Sequence, residues 1–388
     1  MRIVDFLMLI SIVVMPMDPS TMLPVRFLGV GISVSRLVVI GSAIFFAFDT
    51  LLRRKLPKLE SLSICLVWIL WYSISSLWGL NLVESSVVIK QLFFLVFVFL
   101  IVLFSYIQEK KGNLKTAFVF ILVLSVLSGL VEQITGYRPP ASRQHYFASQ
   151  LVGFYFNPDF LGCTIGLLMP YLLDLKTGFL GSLWKILFFI ASFFVLFRVS
   201  SYGALATLVI SCVMYFLLKE RLYGLAKLIT LAALSVAVIL VFANIGLVPT
   251  ANIEKYSALS NFTDTSSYQS RIVLWSQTLQ ALDGHILFGY GAGTSEYVLG
   301  YSAHNLLLEI WAECGLVGLS LFLIVIAFLL VSLISSLGND ESKIFLSCLI
   351  ASIPIWLTLS SVLQLWSFWA VIGGAFACRP LQRNAKKK

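Results

Sequence analysis

Three residues have types and settings suited to chemistry on an anionic substrate: His304, Arg271 and Arg198. His304 stands in Ser302-Ala-His-Asn-Leu, where a long apolar helix is expected to begin and Asn305 is placed to cap its free N–H groups. Histidine titrates near neutral pH and a helix N-terminus lowers its pKa, so a neutral imidazole there can accept a proton from a hydroxyl. Arg198 ends one apolar run, with only Val199, Ser200 and Ser201 before the next. Its planar guanidinium suits a phosphate or pyrophosphate, the plain alternative being that it snorkels to lipid phosphates. Arg271 lies one helical turn before Trp275 and offers a second anion contact.

Other polar residues are weighed around these. Arg143, with Arg138 and Lys255, is a further cation in the loops expected on the same side. His145 and His285 read first as surface histidines, and Asn157-Pro158-Asp159 reads first as a helix start, with Asn as cap and Pro in the first turn. Glu309 and Glu313 fall in the first turns of the His304 helix, where an intramembrane acid is expected to face the interior and to have a partner. The six cysteines are scattered through apolar stretches without ligand spacing, so no metal site and no disulfide framework is expected.

The elements that must position these residues follow from composition. The chain has 388 residues, 59% hydrophobic and 12% charged, which excludes a soluble globule, where charged residues are roughly a quarter of the total. The expected fold is all-α: one polytopic integral membrane domain over 1–388, with about twelve spanning helices of ~20 residues each. Apolar runs place them near 3–17, 28–52, 61–79, 87–107, 116–133, 158–175, 180–197, 201–218, 228–248, 305–335, 344–362 and 364–378. The first is taken as a span rather than a removed signal peptide. The net charge of +9 reflects topology rather than a nucleic-acid surface, because basic residues such as Arg53, Lys110, Lys115, Lys219 and Lys227 fall on alternate loops. That bias puts both termini in the cytoplasm and leaves two outer segments, 134–157 and 249–304. In the longer one, Ile272, Trp275, Leu279 and Leu282 recur at helical spacing, which predicts a short amphipathic helix, followed by the glycine-rich run Gly289-Tyr-Gly-Ala-Gly293.

The order of these motifs resembles that of the O-antigen ligase and polymerase superfamily of bacterial envelope glycosyltransferases. The likeness lies in Arg271-x3-Trp275, His285-Ile-Leu-Phe-Gly-Tyr-Gly291, His304-Asn305 and Glu313-Cys-Gly315-x2-Gly318, with Gly153-Phe-Tyr-Phe-Asn157-Pro158-Asp159 upstream. One departure stands out: where the family has Ser-Arg-Gly, this chain has Ser201-Tyr202-Gly203. Arg198, four residues or about one helical turn earlier, can reach the same place if helix continues through the turn.

The resemblance implies a glycan donor on undecaprenyl pyrophosphate in a bacterial inner membrane, with the site on the periplasmic face and no cofactor. On this reading His304, Arg271 and Arg198 are catalytic, the two arginines stabilising the leaving pyrophosphate without a metal ion. Arg143, Asn157, Tyr202, Trp275, His285, Asn305 and Glu309 are expected substrate contacts. The leading expectation is a polymerase of polysaccharide repeat units; the alternatives are a ligase transferring the polymer to lipid A core in lipopolysaccharide biosynthesis, and a transporter or flippase of the lipid-linked sugar. A separate flippase and a chain-length regulator are the expected protein partners, and no nucleic acid is expected.

Overall fold

The computed structural model describes residues 22–27, 30–52, 59–81, 111–138, 150–155, 157–176, 179–244, 266–359 and 362–378, with scattered positions in 7–11 and 85–102. It is helical apart from one antiparallel hairpin of β1 (Met22–Phe27) and β2 (Val30–Ser33). The hairpin corrects the expected span at 28–52: the backbone of 30–33 pairs with β1, and helix α1 starts only at Val34, running to Leu52. The helices that follow are α2 (Leu59–Ser75), α3 (Lys111–Thr135), α4 (Pro158–Leu173), α5 (Phe179–Val199), α6 (Tyr202–Lys219) and α7 (Arg221–Asn244). After them come α8 (Ser266–Ala281), α9 (Ser295–Leu299), α10 (Leu306–Ser335), α11 (Asp340–Ala351), α12 (Ile353–Thr358) and α13 (Trp366–Ala377).

Among the described residues five helical stretches are long and apolar enough to cross a membrane: Leu114–Thr135, Leu180–Val199, Tyr202–Lys219, Leu306–Ser335 and Asp340–Thr358. Four shorter apolar helices, Ser63–Trp78, Pro158–Leu173, Ala226–Val241 and Trp366–Ala377, accompany them. The spans expected at 3–17 and 87–107 fall mostly outside the described residues. The one expected at 344–362 is two helices, because Pro354 in the first turn of α12 has no N–H for the helical ladder.

Helix α4 is the centre of the bundle, buried along almost its whole length. Its glycines let α6 approach: a Cβ on Gly166 would stand 2.9 Å from the Leu208 backbone nitrogen. Small residues at such a crossing bring backbones close enough for van der Waals packing to hold helices together in lipid. Ser211 on α6 donates to the Gly166 carbonyl at 2.8 Å, and Cys348 on α11 to the Leu167 carbonyl at 3.0 Å. All six cysteines are free and buried. At one end of the bundle Asp174 accepts from Lys115 and Lys219, and Lys219 also pairs with Asp340 at 3.4 Å. The opposite end, where α4, α6 and α10 begin, carries the candidate site.

That end is organised by a break in α10. Gly315 has φ 68° and ψ −175°, an extended conformation essentially confined to glycine, in the middle of an otherwise helical run. The break frees backbone groups, and the glycine-rich loop after α8 takes them up. Tyr290 N–H donates to Ala312 O at 2.7 Å and Gly291 N–H to Glu313 O at 2.8 Å, while Leu316 N–H donates to Ile286 O at 2.8 Å and Val317 N–H to Leu287 O at 3.3 Å. Trp71 of α2 donates to the remaining carbonyl, Cys314 O, at 3.1 Å. Beside them the buried Glu313 carboxylate accepts from Tyr72 Oη, from Ser295 Oγ at 2.8 Å and from the Gly293 and Ser295 N–H groups. Gly289 and Gly291 are required here as well: a Cβ on Gly289 would stand 2.6 Å from the Glu313 carbonyl carbon, and one on Gly291 would strike Gly79.

A methyl group on Gly315 would collide with the Leu287 carbonyl. Gly315→Ala is therefore expected to destabilise the protein by roughly 3 kcal/mol or more, combining backbone strain with overpacking. A thermal scan of the purified protein in detergent should show a depressed midpoint, while Gly338→Ala, with open space around it, leaves the midpoint unchanged.

Candidate functional site

The clasp at Gly315 delivers the chain from α8 through α9 to the start of α10, and so sets Arg271 beside His304. Trp275 Nε1 donates to the Ala303 carbonyl at 3.0 Å, tying α8 to the residue before the histidine. Asn305 caps α10, its Oδ1 accepting from Leu307 and Leu308 N–H at 3.0 and 3.3 Å. Ser302 Oγ donates to Glu309 Oε1 at 2.9 Å and closes the turn. His304 itself has φ 49°, a left-handed conformation rare outside glycine. Backbone strain of this kind costs of order 1–3 kcal/mol and persists where the surroundings over-determine it. Here the Trp275 bond on one side and the Asn305 cap on the other do so.

The imidazole is half-buried and its pKa is lowered, first by burial and then by the positive charge of Arg271. Asp159 and Glu296 act in the opposite direction without cancelling the shift. His304 is thus neutral at neutral pH and available as a base. Arg271 is also partly withdrawn from water, which lowers its pKa, with Asp159 opposing; an arginine remains protonated regardless. Arg271 is among the residues lining an apolar groove of ≈ 450 Å³ between α6 and α12, with Tyr202, Ala206, Val209 and Ile210 from α6 and Pro354 and Thr358 from α12.

Arg198 is in the last turn of α5. Ser200 has φ 58°, which stops α5, so helix does not run through the turn and the geometry required for Arg198 to stand in for Tyr202 is not met. Its Nε donates to Gln133 Oε1 at 2.7 Å, and its carbonyl accepts from Leu151 N–H at 3.4 Å. Next to it the buried Glu132 accepts from Arg138 Nε at 2.6 Å and from Val152 and Gly153 N–H at 2.7 and 2.6 Å. This second charged cluster fastens residues 150–153, the approach to α4.

The remaining expected contacts divide. Tyr202 lines the groove. Asn157, Asn305, Trp275 and Glu309 are engaged in holding the local backbone, Asn157 Oδ1 accepting from Asp159 N–H at 2.8 Å. His285 is exposed on the clasp loop and stacked on Tyr290 with ring centroids 4.1 Å apart. Arg143 lies outside the described residues. The residue that sequence reasoning left out is Asp159, read as part of a helix start; its carboxylate acts on both Arg271 and His304. The amphipathic stripe of α8 is also divided, with Leu282 buried and Ile272 and Leu279 exposed.

Fold and site together define a polytopic membrane protein with a cation and a base set at one mouth of the bundle, above an apolar groove. Residues 186–323, from α5 to the middle of α10, match the family model described as O-antigen ligase. This match agrees with the superfamily resemblance of the chain's motifs. Comparison with curated proteins finds no significant match.

Two substitutions should move His304 in opposite directions. Arg271→Gln removes a repulsive cation, so the imidazole pKa rises; Asp159→Asn removes an attractive anion, so it falls. Titration of histidine-labelled protein by NMR in nanodiscs reads both shifts, and equal or same-direction shifts would contradict the arrangement.

Proposed function

We propose that the protein is a membrane glycosyltransferase that polymerises undecaprenyl-pyrophosphate-linked repeat units of an O-antigen or similar surface polysaccharide at the periplasmic face of the bacterial inner membrane. The observation that carries this reading is the apolar groove lined in part by Arg271, whose charge acts on His304. An isoprenoid chain fits an apolar groove, and its pyrophosphate is drawn to the Arg271 guanidinium in the groove's lining. Lys115, Lys185, Lys219 and Lys343 gather at the end of the bundle away from the site, which supports a cytoplasmic location for that end and a periplasmic one for the site.

In the reaction the acceptor hydroxyl oxygen attacks the anomeric carbon of the donor sugar. The bond from that carbon to the pyrophosphate oxygen breaks, and the electron pair leaves on the polyprenyl pyrophosphate. Arg271 offsets the charge that develops there, and neutral His304 takes the hydroxyl proton. Asp159 stabilises the imidazolium that results.

A ligase that passes the polymer to lipid A core is the second reading, favoured by the description of the matching family. A transporter draws less support: it calls for polar residues within the membrane along the pathway, and Glu313 is engaged by Tyr72 and Ser295, and Glu309 by Ser302.

Envelope glycans on a gel distinguish these readings. His304→Ala and Arg271→Ala should each lower glycan transfer by roughly 10²–10³-fold at normal protein level, the usual cost of losing a base or a charge-stabilising donor. Single repeat units on the core identify a lost polymerase, and lipid-linked polymer beside bare core identifies a lost ligase. Normal ladders from both variants would rule out the site.

A further inference from the structure

The clasp loop presents a feature that the transfer reaction does not use. Ile286, Leu287 and Phe288 are consecutive, apolar and 48, 56 and 53% exposed, although the Ile286 and Leu287 carbonyls and the following Tyr290 and Gly291 N–H groups are hydrogen-bonded to α10. Two tryptophans frame them: Trp311 Nε1 donates to Ile286 O at 3.1 Å and Trp78 Nε1 donates to Phe288 O at 3.2 Å. Leu77 and Leu80, just past the end of α2 and on either side of Trp78 in sequence, are exposed as well. A rigid loop that holds its apolar side chains outward is built against something apolar.

The length of α10 says what that is. From Leu316, just past the break, to Ser335 it runs 20 residues, about 30 Å of helix, the thickness of a bilayer's hydrocarbon core. Its far end then falls at the polar run Ser335-Ser336-Leu337-Gly338-Asn339-Asp340. The break at Gly315 therefore coincides with the hydrocarbon boundary on the site's side, and the clasp loop lies at that level. Exposed Leu316, Leu323 and Ile324 continue the apolar surface down α10. Tryptophan, with an apolar ring and a polar N–H, is the residue that gathers at this depth.

We infer that Ile286–Phe288 is an interfacial anchor, inserted into the acyl-chain boundary of the leaflet nearest the site, and that its partner is membrane lipid. Because the loop is bonded to α10 at the break, the anchor fixes the height of everything beyond it. The nine residues Leu306–Cys314, about 14 Å of helix, lift His304 clear of the hydrocarbon and into the layer of headgroups and water. The placement is independent of which glycan is transferred and of whether the protein polymerises or ligates.

The test uses the full chain in nanodiscs, with a bimane fluorophore on a single introduced cysteine; the six native thiols are buried. Leu287→Cys is compared with Leu323→Cys, on the lipid-facing side of α10, and with Tyr297→Cys, exposed on α9 beyond the clasp. Lipids brominated in the upper acyl chain should quench the probes at 287 and 323 at least twofold more than the probe at 297, and aqueous iodide should do the reverse. Phe288→Cys carries the same test where the first variant does not fold. A probe at 287 that follows the one at 297 with both quenchers overturns the anchor. So does one that neither quencher reaches, which would mark the loop as covered by protein.

Discussion

A helix broken inside a membrane protein leaves backbone groups that only other protein can satisfy, since unsatisfied N–H and C=O groups cost several kcal/mol each in hydrocarbon. This chain breaks α10 at Gly315 and closes the break with the loop at 286–291 and with Trp71. The rest of the site depends on that closure. It holds the loop between α8 and α9 in one register, and through it the approach to His304. Glu313 adds a second fastening, since each of its two oxygens meets a side-chain donor from a different element, Tyr72 on α2 and Ser295 on α9.

The closure also gives the family motifs a physical meaning. Gly289, Gly291, Glu313 and Gly315 are separated in sequence but meet at one backbone junction. Only glycine fits there because the partner atoms are main-chain atoms, which cannot rotate away as a side chain can. These motif positions therefore build the support, while Arg271 and His304 stand on it. Trp275 belongs with the support too, since its indole is committed to Ala303 O.

What was legible in the sequence follows the same division. Long apolar runs such as α3, α5, α6 and α10 were found close to their true limits, because hydrophobic length alone specifies a span. The caps of α4 and α10 were legible because Asn157 and Asn305 act on N–H groups two or three residues away. Glu313 was rightly expected to have a partner, but that the partner is Tyr72 on a distant helix is a tertiary fact with no local signal. The same holds for Asp159: a carboxylate in the first turn of α4 reads as helix-start chemistry, and only packing carries it to Arg271 and His304. The hairpin at 22–33 was hidden because Val30–Ser33 is as apolar as the helix it precedes.

The cationic side of the site is thinner than two arginines would make it. Arg198 donates to Gln133 through Nε while its buried Nη1 has no hydrogen-bond partner among the described residues, and Tyr202 lines the groove. Among the described residues Arg271 is the one cation lining the groove, and partial charges from the backbone add to it. Three helices, α4, α6 and α10, start at this end, capped by Asn157, Ser201 and Asn305. Each N-terminus carries roughly half a positive charge, screened less where water is scarce. Asp159 then has a second consequence: by placing an anion among these termini it keeps the site from becoming so positive that His304 could not hold a proton. In the proposed reaction the base is neutral before the transfer and cationic after it, and Arg271 and Asp159 act on the one imidazole in opposite directions.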